Sequence, residues 1–193
     1  MPALEAASQI KVVRDALLLI GEHEIQSLTE DGHAVAVANA RFHQVYENLL
    51  SPAFARWRFS VTKAVLSQLV TGPINEWQYA YQLPGDLIAC VKVYPNGRFA
   101  RFGDQIYSNA SALSLDYQYK PEVGDLPPYF ALLLTYYCAF EWSRPVTEGA
   151  SRKTELGQMF DRQLNVARFT DATQYPNDPW SDSPFTLGRE DWR

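Results

Sequence analysis

Histidine, cysteine, serine and carboxylate side chains are the groups through which this chain could act chemically, and they are thinly spread. Glu22-His23-Glu24 has the residue types of a metal site. Side chains adjacent in sequence diverge on any regular backbone, so the triplet reads as a solvated turn. His33 follows Asp31-Gly32 at an expected helix start, and His43 follows Phe42 on a helix. No His-Glu-x-x-His pair places two imidazoles on one helical face. Ser151-Arg152-Lys153 has nothing beside it that would activate the serine, and neither a Gly-x-Ser-x-Gly elbow nor a glycine-rich phosphate loop occurs. Two carboxylates brought together in space could hydrolyse a glycan, but no particular pair is marked. Cys90 and Cys138 lack metal-ligand spacing and form no secreted disulfide framework. The expectation is a chain with no catalytic, cofactor-binding or metal-binding residues.

The net charge of −5 comes without any Lys/Arg run, which argues against a nucleic-acid reader. DNA could pass nearby without being gripped, since an acidic lumen repels phosphate. No basic and apolar leader opens the sequence. The most apolar stretch, residues 129–140, is too short for a membrane span of about twenty residues. A soluble chain made in a reducing cytoplasm is expected. Eleven Tyr, ten Phe and five Trp are a high aromatic share, which an aromatic-rich core and the use of rings at interfaces as well as in the core explain equally well.

Helical periodicity opens the chain. Ile10, Val13, Leu17 and Ile20 form one stripe, with Ser8 as N-cap and Gly21 as stop. Val35, Ala38, Phe42, Val45 and Leu49 mark a second helix over 34–50, closed by Pro52. From Trp57 the period changes to two and strands are expected to begin there. Gly72-Pro73 breaks the chain, Trp77, Tyr79 and Tyr81 alternate, Pro95-Asn96-Gly97 signals a hairpin and Gly103-Asp104 another turn. A last strand alternates from Leu113 to Tyr119. Helices return after Pro127-Pro128: one over 129–142, apolar almost all round and ended by Pro145, and one over 149–169. The last carries Leu156, Met159, Phe160, Leu164 and Ala167 on its apolar face.

The fold class expected is α+β: a four-helix bundle with an inserted antiparallel β-meander and an extended C-terminal arm. The bundle takes 1–56 and 122–170, the insert 57–121 and the arm 171–193. Phe42, Leu133, Leu134 and Phe160 are expected in the core. The arm's prolines Pro176, Pro179 and Pro184 oppose helix formation. Its rings Tyr175, Trp180, Phe185 and Trp192 are the expected interface residues, anchoring it to another chain; a strap packed on its own subunit is the alternative.

Over about residues 10–170 the chain resembles the tail tubular protein A family, the head-to-tail adaptors of short-tailed bacteriophages. The residues that carry the likeness are Ala16-Leu17-Leu18-Leu19-Ile20-Gly21, then Ala38-Asn39-Ala40-Arg41 through Leu50, Trp57-Arg58-Phe59, and Trp77-Gln78-Tyr79-Ala80-Tyr81-Gln82-Leu83-Pro84-Gly85-Asp86. The last run is the most specific, and the proline-rich end lies outside the likeness. What the resemblance implies is a structural virion protein in a dodecameric ring, with the portal protein above and a tail nozzle or tail tube below. DNA touches such a ring only in transit during ejection, no membrane or cofactor takes part, and assembly is in the host cytoplasm. Another virion ring component such as a tail terminator, or a tail-associated glycan hydrolase, are the alternative readings.

Overall fold

The computed structural model describes residues 2–73, 75–146 and 150–174. Four helices share one hydrophobic core: α1 (Pro2–Ile20), α2 (His33–Leu50), α3 (Pro128–Val146) and α4 (Ala150–Thr173). α3 lies at the centre and packs on the other three. Its composition demands this, because burial extends over most of its surface, through Phe130, Leu133, Leu134, Tyr137, Cys138 and Trp142, with Leu132 left exposed. A helix without a polar face is stable only when it is covered on all sides. Phe42, Leu133, Leu134 and Phe160 are all buried, as the periodicity requires.

Helix ends follow local rules with two exceptions. α1 closes at Gly21, whose φ of 101° lets its N–H reach Leu18 O while Glu22 N–H reaches Leu17 O. Its start is not at Ser8, however. The helix begins at Pro2, and Ser8 lies inside it; proline suits the first turn, where its missing N–H goes unused. Pro145 does not terminate α3 either, since helical geometry continues to Val146 and Pro145 falls in the last turn.

Between α2 and α3 lie six strands: β1 (Val61–Val65), β2 (Tyr79–Gln82), β3 (Leu87–Tyr94), β4 (Phe99–Phe102), β5 (Gln105–Ser108) and β6 (Ser114–Tyr119). All pairings are antiparallel, but they are not those of a single meander. One sheet has the order β1-β6-β3 and the other β2-β5-β4. Only β4 and β5 are sequential neighbours, joined through Gly103-Asp104 with Gly103 at φ 59°. Pro95-Asn96-Gly97 closes no hairpin: it carries the chain from β3 in one sheet to β4 in the other. The reason is hydrophobic. Val93, Leu115 and Tyr117 of the first sheet meet Tyr81 and Ile106 of the second in a separate core. Alternating strands expose one apolar face per sheet, and stacking two small sheets covers both faces where one flat meander leaves its face to water.

The insert also starts later than the alternation at Trp57 implies. Trp57 is fully buried, Arg58–Ser60 form a 3-10 turn, and pairing begins at Val61. At the other end α4 runs to Thr173, so residues 171–173, assigned to an arm on composition, are helical.

Candidate functional site

The chain crosses from helices to sheets at two places, and both crossings are tied down by side chains. At the entrance the Trp57 indole Nε1 donates to Leu49 O at 2.8 Å, and its ring meets Phe130 edge-on at 5.0 Å. Phe59 packs on Phe130 at 4.8 Å and on Tyr129 at 6.2 Å. Asp171, only 4% exposed, sits against this corner. Its Oδ2 accepts from Arg58 N–H at 2.7 Å, and its Oδ1 from Phe59 N–H at 3.4 Å and the Tyr129 hydroxyl at 2.9 Å. The first two donors are the free N–H groups that open a 3-10 turn, so a residue more than a hundred positions away caps it. Burial, then the hydrogen bond and charge of Asp171, push the Tyr129 phenol far above its ordinary range.

At the exit Gln118 Nε2 donates to Leu50 O at 2.7 Å and the Tyr46 hydroxyl to Pro121 O at 2.8 Å. Lys120 pairs with Glu47 at 2.6 Å. The Leu83-Pro84-Gly85-Asp86 run also has a tying role: the Asp86 carboxylate accepts from the Tyr117 hydroxyl at 3.2 Å, and its backbone oxygen from Lys120 N–H at 3.3 Å. These residues join segments of the fold.

The histidines and the Ser-Arg-Lys triplet fall in separate places. His23 is exposed, and its neighbour Glu24 pairs with Arg14 at 3.7 Å. His33 Nε2 donates to Pro145 O at 3.0 Å, across from α2 to the end of α3. His43 contacts the Phe42 ring edge-on at 5.9 Å. Arg152 donates from Nε and Nη2 to Leu19 O at 3.1 and 2.7 Å, which satisfies a carbonyl at the end of α1. Among the described residues no group of three His, Cys, Asp or Glu could hold a metal ion. Cys90 and Cys138 are free thiols, and burial pushes both up, Cys138 strongly. No helix among the described residues is long and apolar enough to cross a membrane.

Two surface features were hidden in the sequence. Arg56 and Arg58 line a hollow beside Asp116, and Lys63 pairs with the same carboxylate at 3.7 Å. The Lys92 and Lys63 ammonium groups stand 4.7 and 5.9 Å from the centre of the Tyr94 ring, whose hydroxyl donates to Asp116 at 3.3 Å. Strand pairing thus brings Lys63 and Lys92 to the surroundings of Asp116, and the turn before β1 brings Arg56 and Arg58 to the same hollow. The second feature is apolar. On β4, an edge strand, Phe99 and Phe102 are 45% and 56% exposed. On α4, Met159, Val166 and Phe169 face out, and Phe169 is 72% exposed. Met159 therefore does not belong to the inner face on which its periodicity placed it; Leu156, Phe160, Leu164 and Ala167 alone are buried there.

Tyr175, Trp180, Phe185 and Trp192, the interface residues read from the sequence, lie outside the described residues. Asp171 was missed altogether. The signal for it was its place: it continues the buried stripe four residues after Ala167, where a carboxylate must find donors. No protein-family model matches the sequence, and no curated protein matches it either.

Proposed function

We propose that this chain is a structural subunit of a phage head-to-tail adaptor ring, without catalytic activity, joining a portal to a tail nozzle or tail tube. The helices then form a four-helix bundle carrying the sheet pair as an insert, and residues 175–193 serve as an arm that binds another chain. The observation that carries this reading is an exposed apolar row on α4 at Met159, Val166 and Phe169, together with Phe99 and Phe102, which stand exposed on the two faces of the edge strand β4. A cyclic ring is heterologous: one patch on each subunit must meet a different patch on the next. An aligned apolar row on one element and exposed rings on another fit that demand. The likeness in Trp57-Arg58-Phe59 and in the run Trp77 to Asp86 adds the family to the geometry.

Electron microscopy of the purified protein, alone and mixed with a portal, tests the reading. Closed rings that stack on the portal are expected. A protein that forms no ring and leaves the portal bare overturns it.

A further inference from the structure

α4 has apolar residues on two opposite sides. Leu156, Phe160, Leu164 and Ala167 recur every three or four residues and are buried. Met159, Arg162, Val166 and Phe169 recur with the same spacing about half a turn away and are all exposed. A single exposed apolar side chain is ordinary, but an aligned row of them marks a contact surface. Arg162, in the middle of the row, has neither an ion pair nor a hydrogen bond among the described residues. The helix ends at Thr173, and the chain continues through residues 175–193. That continuation opens with Tyr175-Pro176-Asn177-Asp178, with proline and asparagine in the two central positions that favour a chain reversal. It then carries Trp180 and Phe185 with Asp182 between them.

We propose that residues 175–193 turn back on the isolated chain and seat along the outer row of its own α4, antiparallel to the helix. The spacing carries the argument. A helix rises about 1.5 Å per residue and an extended chain about 3.3 Å. With Asp178 set level with Gln174, Trp180 falls about 7 Å back along the axis, and Phe169 also lies about 7 Å back. Phe185 falls about 23 Å back and Met159 about 22 Å. Asp182, at about 13 Å, is level with Val166 and within reach of the long Arg162 side chain, rooted at about 18 Å. Both rings thus meet apolar positions and the acid meets the cation. Trp192, about 46 Å along, overruns a helix only about 36 Å long and takes no part in the seat. In the ring proposed above, the segment passes from its own helix to the neighbour's, keeping each contact while changing the copy that supplies it. The intrachain seat itself does not depend on that ring.

Disulfide trapping in the full-length chain tests the seat. Cys90→Ser removes the half-buried thiol, and Asn165→Cys with Ser183→Cys places a pair beside the row while keeping every contact invoked. Oxidation at submicromolar protein should give an intrachain disulfide. Val166→Glu or Phe169→Glu, each at an exposed position, should slow its formation at least tenfold. Trp180→Ala should do the same and leaves the helix untouched. Only interchain dimers would mean that the neighbour's segment, or a second copy, occupies the row, and would overturn the intrachain seat. No disulfide, or a rate indifferent to all three substitutions, would overturn it as well. Failure of rings to form on a portal would leave this result unaffected, so the two ideas fail separately.

Discussion

Replacing Asp171 by Asn changes one atom and should destabilise the protein substantially. In the native carboxylate both oxygens accept, Oδ2 from Arg58 N–H at 2.7 Å, and Oδ1 from Phe59 N–H at 3.4 Å and the Tyr129 hydroxyl at 2.9 Å. The amide of Asn keeps one acceptor, which can serve two of these donors. Its NH2 group then faces the third, a donor against a donor in a site with 4% exposure. A hydrogen bond to a charged group contributes about 1.5–3 kcal/mol, and an unsatisfied buried donor costs about 1–3 kcal/mol. Part of this is recovered if Arg58 shifts toward water, so the expected loss is about 2–4 kcal/mol. For a chain of this size about 1 kcal/mol lowers Tm by roughly 2–4 °C, which gives a drop of roughly 4–16 °C. Thermal and urea unfolding of wild type, Asp171→Asn, Tyr129→Phe and the double variant measure it. Tyr129→Phe removes only one of three donors and should cost about 1 kcal/mol. Because the two side chains touch, the double variant should lose less than the sum of the singles. An Asp171→Asn protein within about 0.5 kcal/mol of wild type would show that the carboxylate does not hold the corner.

Leu134 is fully buried in α3, so Leu134→Ala should cost about 2–5 kcal/mol; an unchanged melting temperature would remove α3 from the centre of the core. Burial raises the phenols of Tyr81, Tyr117, Tyr129 and Tyr137 in the folded state. The unfolded chain ionises its tyrosines near pH 10, so their contribution is complete below that pH and is lost as pH rises above it. Melting temperature should hold to about pH 9 and fall beyond pH 10, less steeply in Tyr129→Phe; a Tm flat to pH 11 would contradict the burial. Duplex DNA should not bind at submicromolar concentration even in low salt, because the four cations near Asp116 sit on a chain of net charge −5; tight, salt-sensitive binding would make that cluster a phosphate contact. Deleting residues 174–193 should leave helical content intact while abolishing stable assembly on a portal, and ring assembly that survives the deletion would refute a role for the arm.

The helices were legible because each has to bury one stripe: the stripe of α2 from Val35 to Leu49 is buried without exception. Strand existence was legible for the same reason, and Leu113, Leu115 and Tyr117 point into the sheet core as their alternation requires. Strand pairing was not. Period two gives a strand a face but no partner, and the two sheets were selected by contacts between residues as distant as Val61 and Gln118. Met159 shows the limit on the helical side. Its spacing fits the inner stripe nearly as well as the outer one, and an unbranched apolar side chain is tolerated on either. Asp171 shows a different limit. Composition placed it at the start of a polar arm, because a carboxylate reads as solvent-facing until the donors that bury it are known, and those donors come from the turn before β1 and from the start of α3.

That pairing has a mechanical consequence. Asp171 lies in the last turn of α4, three residues before Gln174, where the described chain ends. Its partners Arg58 and Phe59 lead within three residues into β1, and Tyr129 opens α3. A pull or a new contact on the segment beyond Gln174 is therefore transmitted first to the corner where helices and sheets meet. The exit crossing is pinned separately by Gln118, Tyr46 and Lys120, all acting on α2 or the residues just after it. With both crossings fixed, the sheets have little freedom to swing on the helices while Asp171 stays in place. Release of Asp171 removes one tie at the entrance, where Trp57 still bonds Leu49 O and packs with Phe59 on Phe130. Asp171 thus joins the last turn of α4 to the 3-10 turn that leads into β1, and this is the described tie between the two that lies nearest to residues 175–193 in sequence.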